Sequence, residues 1–343
     1  MIMKKRSLAL ESRITGDNLY SFRKPSFCSI EVVYSCILKC KMCYMWQNQR
    51  STNELSLDEW RKFIITLKRF SGLKTAINIT GGEPLLKENI IDLVEFIVQH
   101  GFSEVSMTTN AFLIDREMAK KIADSGLTMI SISLDSLDED IHDYARGVKG
   151  AYRKVIEAMG YFGEHQGRLK KLGIQTIIMG QNLDSILDLV NWAHKKKLSI
   201  YFMAITKPLC LSLDNNWYTS PPYSFLWPKD SIKLYDTIDA LIRLKENGMD
   251  IGNSLAQLRA FKTYFINPKE FVKKEKKCKM GDGMLKIGPT GEVSLCAEKG
   301  IIGNIRHSEI QDIWFSEEAK QVRQAISSCK TNCPQMINCY FEE

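Results

Sequence analysis

Between residue 29 and about residue 205 the chain alternates short β-branched runs with stretches of helical period, which restricts it to βα units that build a parallel sheet. Six runs read as strands: Ser29–Tyr34, Thr75–Thr80, Ser103–Thr108, Met129–Asp135, Ile174–Met179 and Ser199–Ile205. The helices between them carry their own signals. Ser56 and Glu59 form a capping box ahead of Trp60, Phe63, Ile64 and Leu67, and Gly101 closes a helix presenting Ile90, Val94, Ile97 and Val98. Six units predict an α/β fold in the form of a partial (β/α)6 barrel of TIM type, and periodicity leaves a doubly wound sheet open. In either fold, ligands gather at the carboxyl ends of the strands.

The chemically informative residues fall in the loops that leave those ends. Cys36-x3-Cys40-x2-Cys43 follows the first strand, Gly81-Gly82-Glu83-Pro84 the second, and Thr109 and Asn110 the third; Asp135 ends the fourth and Cys210 lies beyond the sixth. In a parallel barrel these loops share one mouth. Three thiolates on one short loop can hold three irons of a four-iron cluster and leave the fourth iron open. A structural zinc site normally takes four protein ligands, and no Cys or His follows Cys43 within twenty residues. A disulfide requires an oxidising compartment, whereas the start, Met1 to Glu11, lacks the long apolar stretch of a secretory signal. The expectation is therefore a thiol-bound iron–sulfur centre in a reducing, cytoplasmic setting.

Composition excludes several classes. With 44% apolar and 25% charged residues the chain reads as globular, and no apolar run reaches the ~18 residues of a membrane span. A net charge of +7 is modest, and the basic residues are scattered except in Lys273 to Lys279. That run lacks the interleaved aromatics of a nucleic-acid surface and reads as a solvated helix end, with an anionic partner as the lesser reading. The 343 residues divide into an N-terminal extension (1–27), a core (28–230), a helical linker (231–270) and a cysteine-rich C-terminal domain (271–343). The five histidines, His100, His142, His165, His194 and His307, show no ligand spacing and read as surface or helix-end residues.

Cys36, Cys40 and Cys43 followed by Tyr44, with Gly81-Gly82-Glu83-Pro84 one strand later, resemble the radical S-adenosylmethionine superfamily over most of the chain. The resemblance implies a [4Fe-4S] cluster whose open iron is chelated by S-adenosylmethionine. It implies that Glu83 accepts a hydrogen bond from the methionyl amino group while Gly81 and Gly82 let the backbone approach. Ser131-Ile132-Ser133-Leu134-Asp135 with Arg146 and Gly147 is similar to the family's fourth-strand segment, where Ser133 and Asp135 would meet the ribose and Arg146 the methionyl carboxylate. Asn110 would line the same pocket, with Ala111 where the family often has glycine; Gly180 and Asn182 match no adenine motif cleanly.

Five further cysteines close the chain. Cys278-x12-Gly291-x4-Cys296, with Ile287, Pro289 and Val293 reading as a hairpin, then Gly303-Asn304-Ile305, Ile313-Trp314 and Cys329-x3-Cys333-x5-Cys339, resemble the SPASM or shorter twitch extension. Full SPASM domains carry seven cysteines, so one auxiliary [4Fe-4S] cluster held by Cys278, Cys296 and two of Cys329, Cys333 and Cys339 is expected; two clusters, or a structural zinc, remain alternatives.

The resemblance implies reductive cleavage of S-adenosylmethionine to a 5′-deoxyadenosyl radical, hydrogen abstraction from a small molecule or peptide, a net two-electron oxidation, and an electron donor such as flavodoxin or ferredoxin. With 27 residues before Cys28, a small or separately delivered substrate is favoured. Two other readings stand: redox-neutral epimerisation with Cys210 as hydrogen donor, and a non-enzymatic iron–sulfur or zinc module. Residues 206–230 form an aromatic loop that reads equally as a substrate lid or as packing.

Overall fold

The computed structural model describes residues 24–47, 51, 53–165, 167–207, 216–268, 278, 280–329 and 337–338. Each of the six expected runs is a strand: β1 (Phe27–Glu31), β2 (Ala76–Thr80), β3 (Val105–Thr109), β4 (Met129–Ser133), β5 (Leu172–Ile178) and β6 (Ser199–Ala204). They pair in parallel in the order β6-β5-β4-β3-β2-β1. Every crossover steps the sheet the same way, with no reversal of strand order. A doubly wound sheet needs such a reversal, so the alternation here builds a partial TIM-type barrel.

Local signals explain where the crossover helices begin. In α1 (Leu57–Ser71) the Glu59 amide donates to Ser56 Oγ at 3.2 Å and the Ser56 amide donates to Glu59 Oε2 at 2.8 Å, the reciprocal box expected from the sequence. Its apolar stripe, Trp60, Phe63, Ile64, Leu67 and Phe70, is buried on the sheet. Each such side chain contributes about 1.5–3 kcal/mol relative to exposure, so the stripe rather than propensity holds the helix. The others follow the same logic: α2 (Ile90–Gln99), α3 (Arg116–Asp124), α4 (Glu139–Arg146), α5 (Ala151–Gly163) and α6 (Ile186–Lys195). Asp115 and Asp138 cap α3 and α4.

Both edges of the six-stranded sheet are covered by later parts of the chain. On one side β7 (Met284–Ile287) pairs in parallel with β1, and β8 (Glu292–Ser294) and β9 (Gly303–Asn304) continue antiparallel, so one sheet holds nine strands. The expected C-terminal hairpin is therefore an extension of the core sheet. On the other side, the turn after α7 (Ser231–Glu246) runs beside β6: Ile200 N–H donates to Asp250 O at 2.9 Å and Gly252 N–H to Ile200 O at 2.7 Å. Two side-chain amides then imitate a strand. Asn253 accepts from Phe202 N–H at 2.7 Å and donates to Phe202 O at 2.8 Å. Asn338 makes the same pair of contacts, both at 2.8 Å, with Ala204. The unpaired edge that invites association is thus satisfied internally.

The aromatic loop is packed rather than free in its described part. Trp217 meets Tyr223 and Trp227 at ring-centroid distances of 6.1 and 5.7 Å. Trp227 in turn meets Phe265 of α8 (Leu255–Ile266) at 5.1 Å. Residues 208–215, with Cys210 among them, lie outside the described residues, as do 273–277, Lys279, Cys333 and Cys339.

Candidate active site

The cysteine loop leaves β1 and is clamped from two directions. From below, Gly82 N–H donates to Val33 O at 2.8 Å and Glu83 N–H to Ser35 O at 3.0 Å. A Cβ at Gly81 would lie 2.2 Å from Val33 O, and one at Gly82 2.0 Å from Ser35 O, so only glycine permits this approach; Gly81 also has φ of +133°. From above, Lys41 N–H donates to Ala145 O at 2.9 Å at the end of α4, and a Cβ at Gly147 would meet Lys39 O at 2.1 Å. Tyr44 stacks on Trp46 and meets Tyr223 edge-on at 6.0 Å, which ties the loop to the aromatic segment.

Cys36, Cys40 and Cys43 surround a cavity of about 130 Å3 at the carboxyl ends of β1 to β4. Gly81, Gly82, Asn110, Ser133 and Arg146 form part of its wall. Asn110 Nδ2 lies 3.7 Å from Cys36 Sγ and Arg146 Nη1 4.0 Å from Cys40 Sγ. Burial pushes the Cys36 thiol up to about 12; it also raises Cys40, against the opposing pull of the Arg146 guanidinium. Such thiols hold their protons at neutral pH until a metal displaces them. No group of three or more His, Cys, Asp or Glu among the described residues is gathered tightly enough to grip one ion. Three thiols around a cavity, with glycine backbone on one wall and a guanidinium on another, fit a cluster together with a small anionic chelator.

Two of the acidic residues expected at the ligand, Glu83 and Asp135, are buried next to this cavity and bonded to the scaffold. Glu83 is fully buried, and both its oxygens are engaged: Oε1 accepts from Thr109 Oγ1 at 2.7 Å and Leu85 N–H at 3.1 Å, and Oε2 accepts from Asn110 N–H at 2.9 Å. It thereby joins the ends of β2 and β3 and caps the short helix Pro84–Leu86, in which Pro84 opens the first turn. Burial without a countercharge raises its carboxyl to about 7. Asp135, also fully buried, accepts from Ile177 N–H at 3.0 Å and lies 2.8 Å from Arg146 Nε, a charge contact without hydrogen-bond alignment. Asp135 thus anchors β5 and Arg146. Arg146 alone of that pair, together with Ser133, reaches the cavity wall.

The structure places three residues that the sequence misreads or leaves unassigned, His142, Asn182 and Gly180. His142 is 1% exposed, not superficial; its Nδ1 accepts from Asp135 N–H at 3.2 Å, and burial with the nearby Arg146 charge lowers it to about 4. Its place on the inward face of α4, four residues before Arg146, was the available signal. Asn182, fully buried, donates to Asp135 O and Ile177 O at 2.8 Å and accepts from Met179 N–H at 2.9 Å, which closes the turn after β5. Gly180 N–H donates to Leu226 O at 2.9 Å, so that turn seats the aromatic segment.

At the second cysteine set, the described thiols Cys278, Cys296 and Cys329 lie within electrostatic reach of one another, and burial raises Cys278 and Cys296. Glu298 N–H donates to Cys296 Sγ at 3.4 Å, and the Glu298 carboxylate pairs with Lys207 at 3.5 Å, beyond the end of β6.

A family model described as the Radical SAM superfamily matches residues 30–193, and one described as an iron-sulfur cluster-binding domain, SPASM, matches 278–339. The chain is a radical SAM protein with a SPASM domain. Its resident groups are accordingly a [4Fe-4S] cluster with S-adenosylmethionine and auxiliary iron–sulfur chemistry in the C-terminal region. This radical SAM chain is 25% identical over 332 residues to a PqqA peptide cyclase of Bradyrhizobium diazoefficiens, covering 94% of this chain and 80% of that one. It is 26% identical over 307 residues to an AdoMet-dependent heme synthase of Nitratidesulfovibrio vulgaris, covering 85% and 80%. In fold it is similar to Streptococcus suis SuiB bound to precursor peptide SuiA, with TM-score 0.68 and 21% identity over 92% of this chain and 71% of that one. The chain is thus an enzyme of radical SAM type, which removes the non-enzymatic module and the zinc readings. Among the described residues no helix is long and apolar enough to cross a membrane.

Proposed function

We propose that this enzyme removes two electrons from a peptide, by dehydrogenation or by forming a cross-link, in the cytoplasm and with flavodoxin or ferredoxin as electron donor. The observation that carries the reading is the cavity in which Cys36, Cys40 and Cys43 meet Gly81, Gly82, Asn110, Ser133 and Arg146. When bound, the N-terminal cluster supplies the electron that splits S-adenosylmethionine into methionine and a 5′-deoxyadenosyl radical, and the C-terminal cluster supplies an acceptor for the second substrate electron.

The chain's own residues bind and orient. Cys36, Cys40 and Cys43 would hold the cluster and leave one iron to the cofactor. Arg146 holds a fixed positive charge beside Cys40, suited to a carboxylate, because Asp135 sets its guanidinium from behind. Ser133 and Asn110 offer hydroxyl and amide contacts from β4 and the loop after β3, and Tyr44 closes the loop on its aromatic side. Cys278, Cys296 and two of Cys329, Cys333 and Cys339 hold the auxiliary cluster. The divisions at residues 28, 231 and 271 bound core, linker and auxiliary domain in this scheme.

Peptide rather than small-molecule chemistry is favoured by the PqqA peptide cyclases, which align with 94% and 96% of the chain. The test is anaerobic reconstitution with S-adenosylmethionine and dithionite, followed by product mass. Stoichiometric 5′-deoxyadenosine and a peptide lighter by two hydrogens support the proposal. Deuterium uptake from solvent with no loss of mass, abolished in Cys210→Ala, would replace it with epimerisation.

A further inference from the structure

At the end of the sheet away from the thiols, a groove of about 900 Å3 opens between α5 and α6, beside the first residues of β5 and β6. Its floor is aromatic and apolar, with Tyr152, Phe162, Leu172 and Trp192. Lys170, Lys171, Lys196 and Lys197 stand around it, and the carboxylate of Asp250 pairs with Lys171 at 3.4 Å. The positive balance is not explained by helix ends alone. Lys196 offsets the carboxyl end of α6, but Lys170 precedes β5, and Lys197 holds φ of 57°, a conformation that glycine adopts at lower cost.

Ser199 and His165 line the groove, and Ser199 Oγ and His165 Nε2 are shielded from solvent without a hydrogen-bond partner. Gly160 lies inside α5, where a Cβ would meet no atom within 4 Å. Packing does not require glycine there, and its absence of side chain keeps the groove wide.

We propose that this groove binds a small ligand carrying an anionic group on a flat apolar body, of the aryl carboxylate or aryl sulfonate class. The apolar body lies against Trp192 and the anion among the lysines. The volume is of the size that small-molecule sites take, about 300–1,000 Å3. The site is separate from the thiol cavity and stands whether or not the substrate is a peptide.

The experiment titrates the reconstituted full-length protein with 8-anilinonaphthalene-1-sulfonate and with N-phenyl-1-naphthylamine, the same aromatic body without the charge. Saturable binding of the sulfonate at one site is expected, at least about tenfold tighter than the neutral probe and weakening with salt. The exposed double substitution Lys196→Glu/Lys197→Glu should close that gap. Gly160→Phe should remove binding of both probes without lowering the melting temperature. Equal affinity for the two probes, non-saturable binding, or sulfonate binding unchanged in the lysine variant would overturn the proposal.

Discussion

Substituting Gly82 by alanine tests how closely cluster-loop geometry depends on a bare backbone. The added Cβ would stand 2.0 Å from Ser35 O and 2.5 Å from Tyr34 O, both of them main-chain atoms. Real Cβ contacts do not fall under 3.0 Å, so the Ser35 carbonyl must retreat by about 1 Å. That motion strains two hydrogen bonds, Gly82 N–H to Val33 O and Glu83 N–H to Ser35 O. At about 1 kcal/mol each, their loss costs about 2 kcal/mol of stability. Ser35 precedes Cys36, so the displacement passes directly to a cluster ligand. A misplacement of about 1 Å costs about 100-fold in rate. The assay is 5′-deoxyadenosine formation by anaerobically reconstituted protein, with bound iron and thermal unfolding measured on the same sample. A Gly82→Ala protein within about threefold of the parent rate, with an unchanged melting temperature, would refute the reasoning.

Arg146→Met leaves the Asp135 carboxylate buried without its countercharge and should cost about 3–5 kcal/mol in denaturant unfolding, with Arg146→Lys recovering part of it. His142 titrates near pH 4 in the folded chain against an ordinary 6.5, so its contribution is complete above pH 6.5 and is lost as pH falls toward 4, by about 3 kcal/mol. His142→Phe should flatten that acid limb in pH-dependent melting. Glu83, raised to about 7, works the other way: the stability it gives below pH 4.5 is lost as pH rises through 7. Cys296→Ser should lower the iron bound by the C-terminal region and abolish the two-electron product, while 5′-deoxyadenosine still forms.

Six strands and the α1 capping box were legible because their signals are local: β-branched runs of strand length, and a serine three residues before a glutamate. The glycine pair was legible by position, one strand after the cysteines. What could not be read depends on distant partners. Nothing in Phe27–Ile30 indicates that it pairs with Met284–Ile287, and nothing in Asn253 or Asn338 marks it as an edge cap, because each contact joins segments far apart in the chain. Resemblance assigns Glu83 and Asp135 to the ligand, and the sequence gives no sign of the backbone donors of neighbouring strands that their carboxylates also satisfy. His142 shares a buried face of α4 with Arg146 four residues on, a spacing that a search for metal-ligand patterns among the histidines passes over.

The two edges of the six-stranded core are held by residues far along the chain: Met284–Ile287 beside β1, and Asn338 on Ala204 at the far side. The thiol loop springs from the first of those edges. During synthesis Cys36, Cys40 and Cys43 therefore emerge some 250 residues before the strand that braces them, and metal loaded before release would enter a scaffold with an unguarded flank. Maturation of this protein should accordingly favour cluster insertion after Met284–Ile287 has docked on β1.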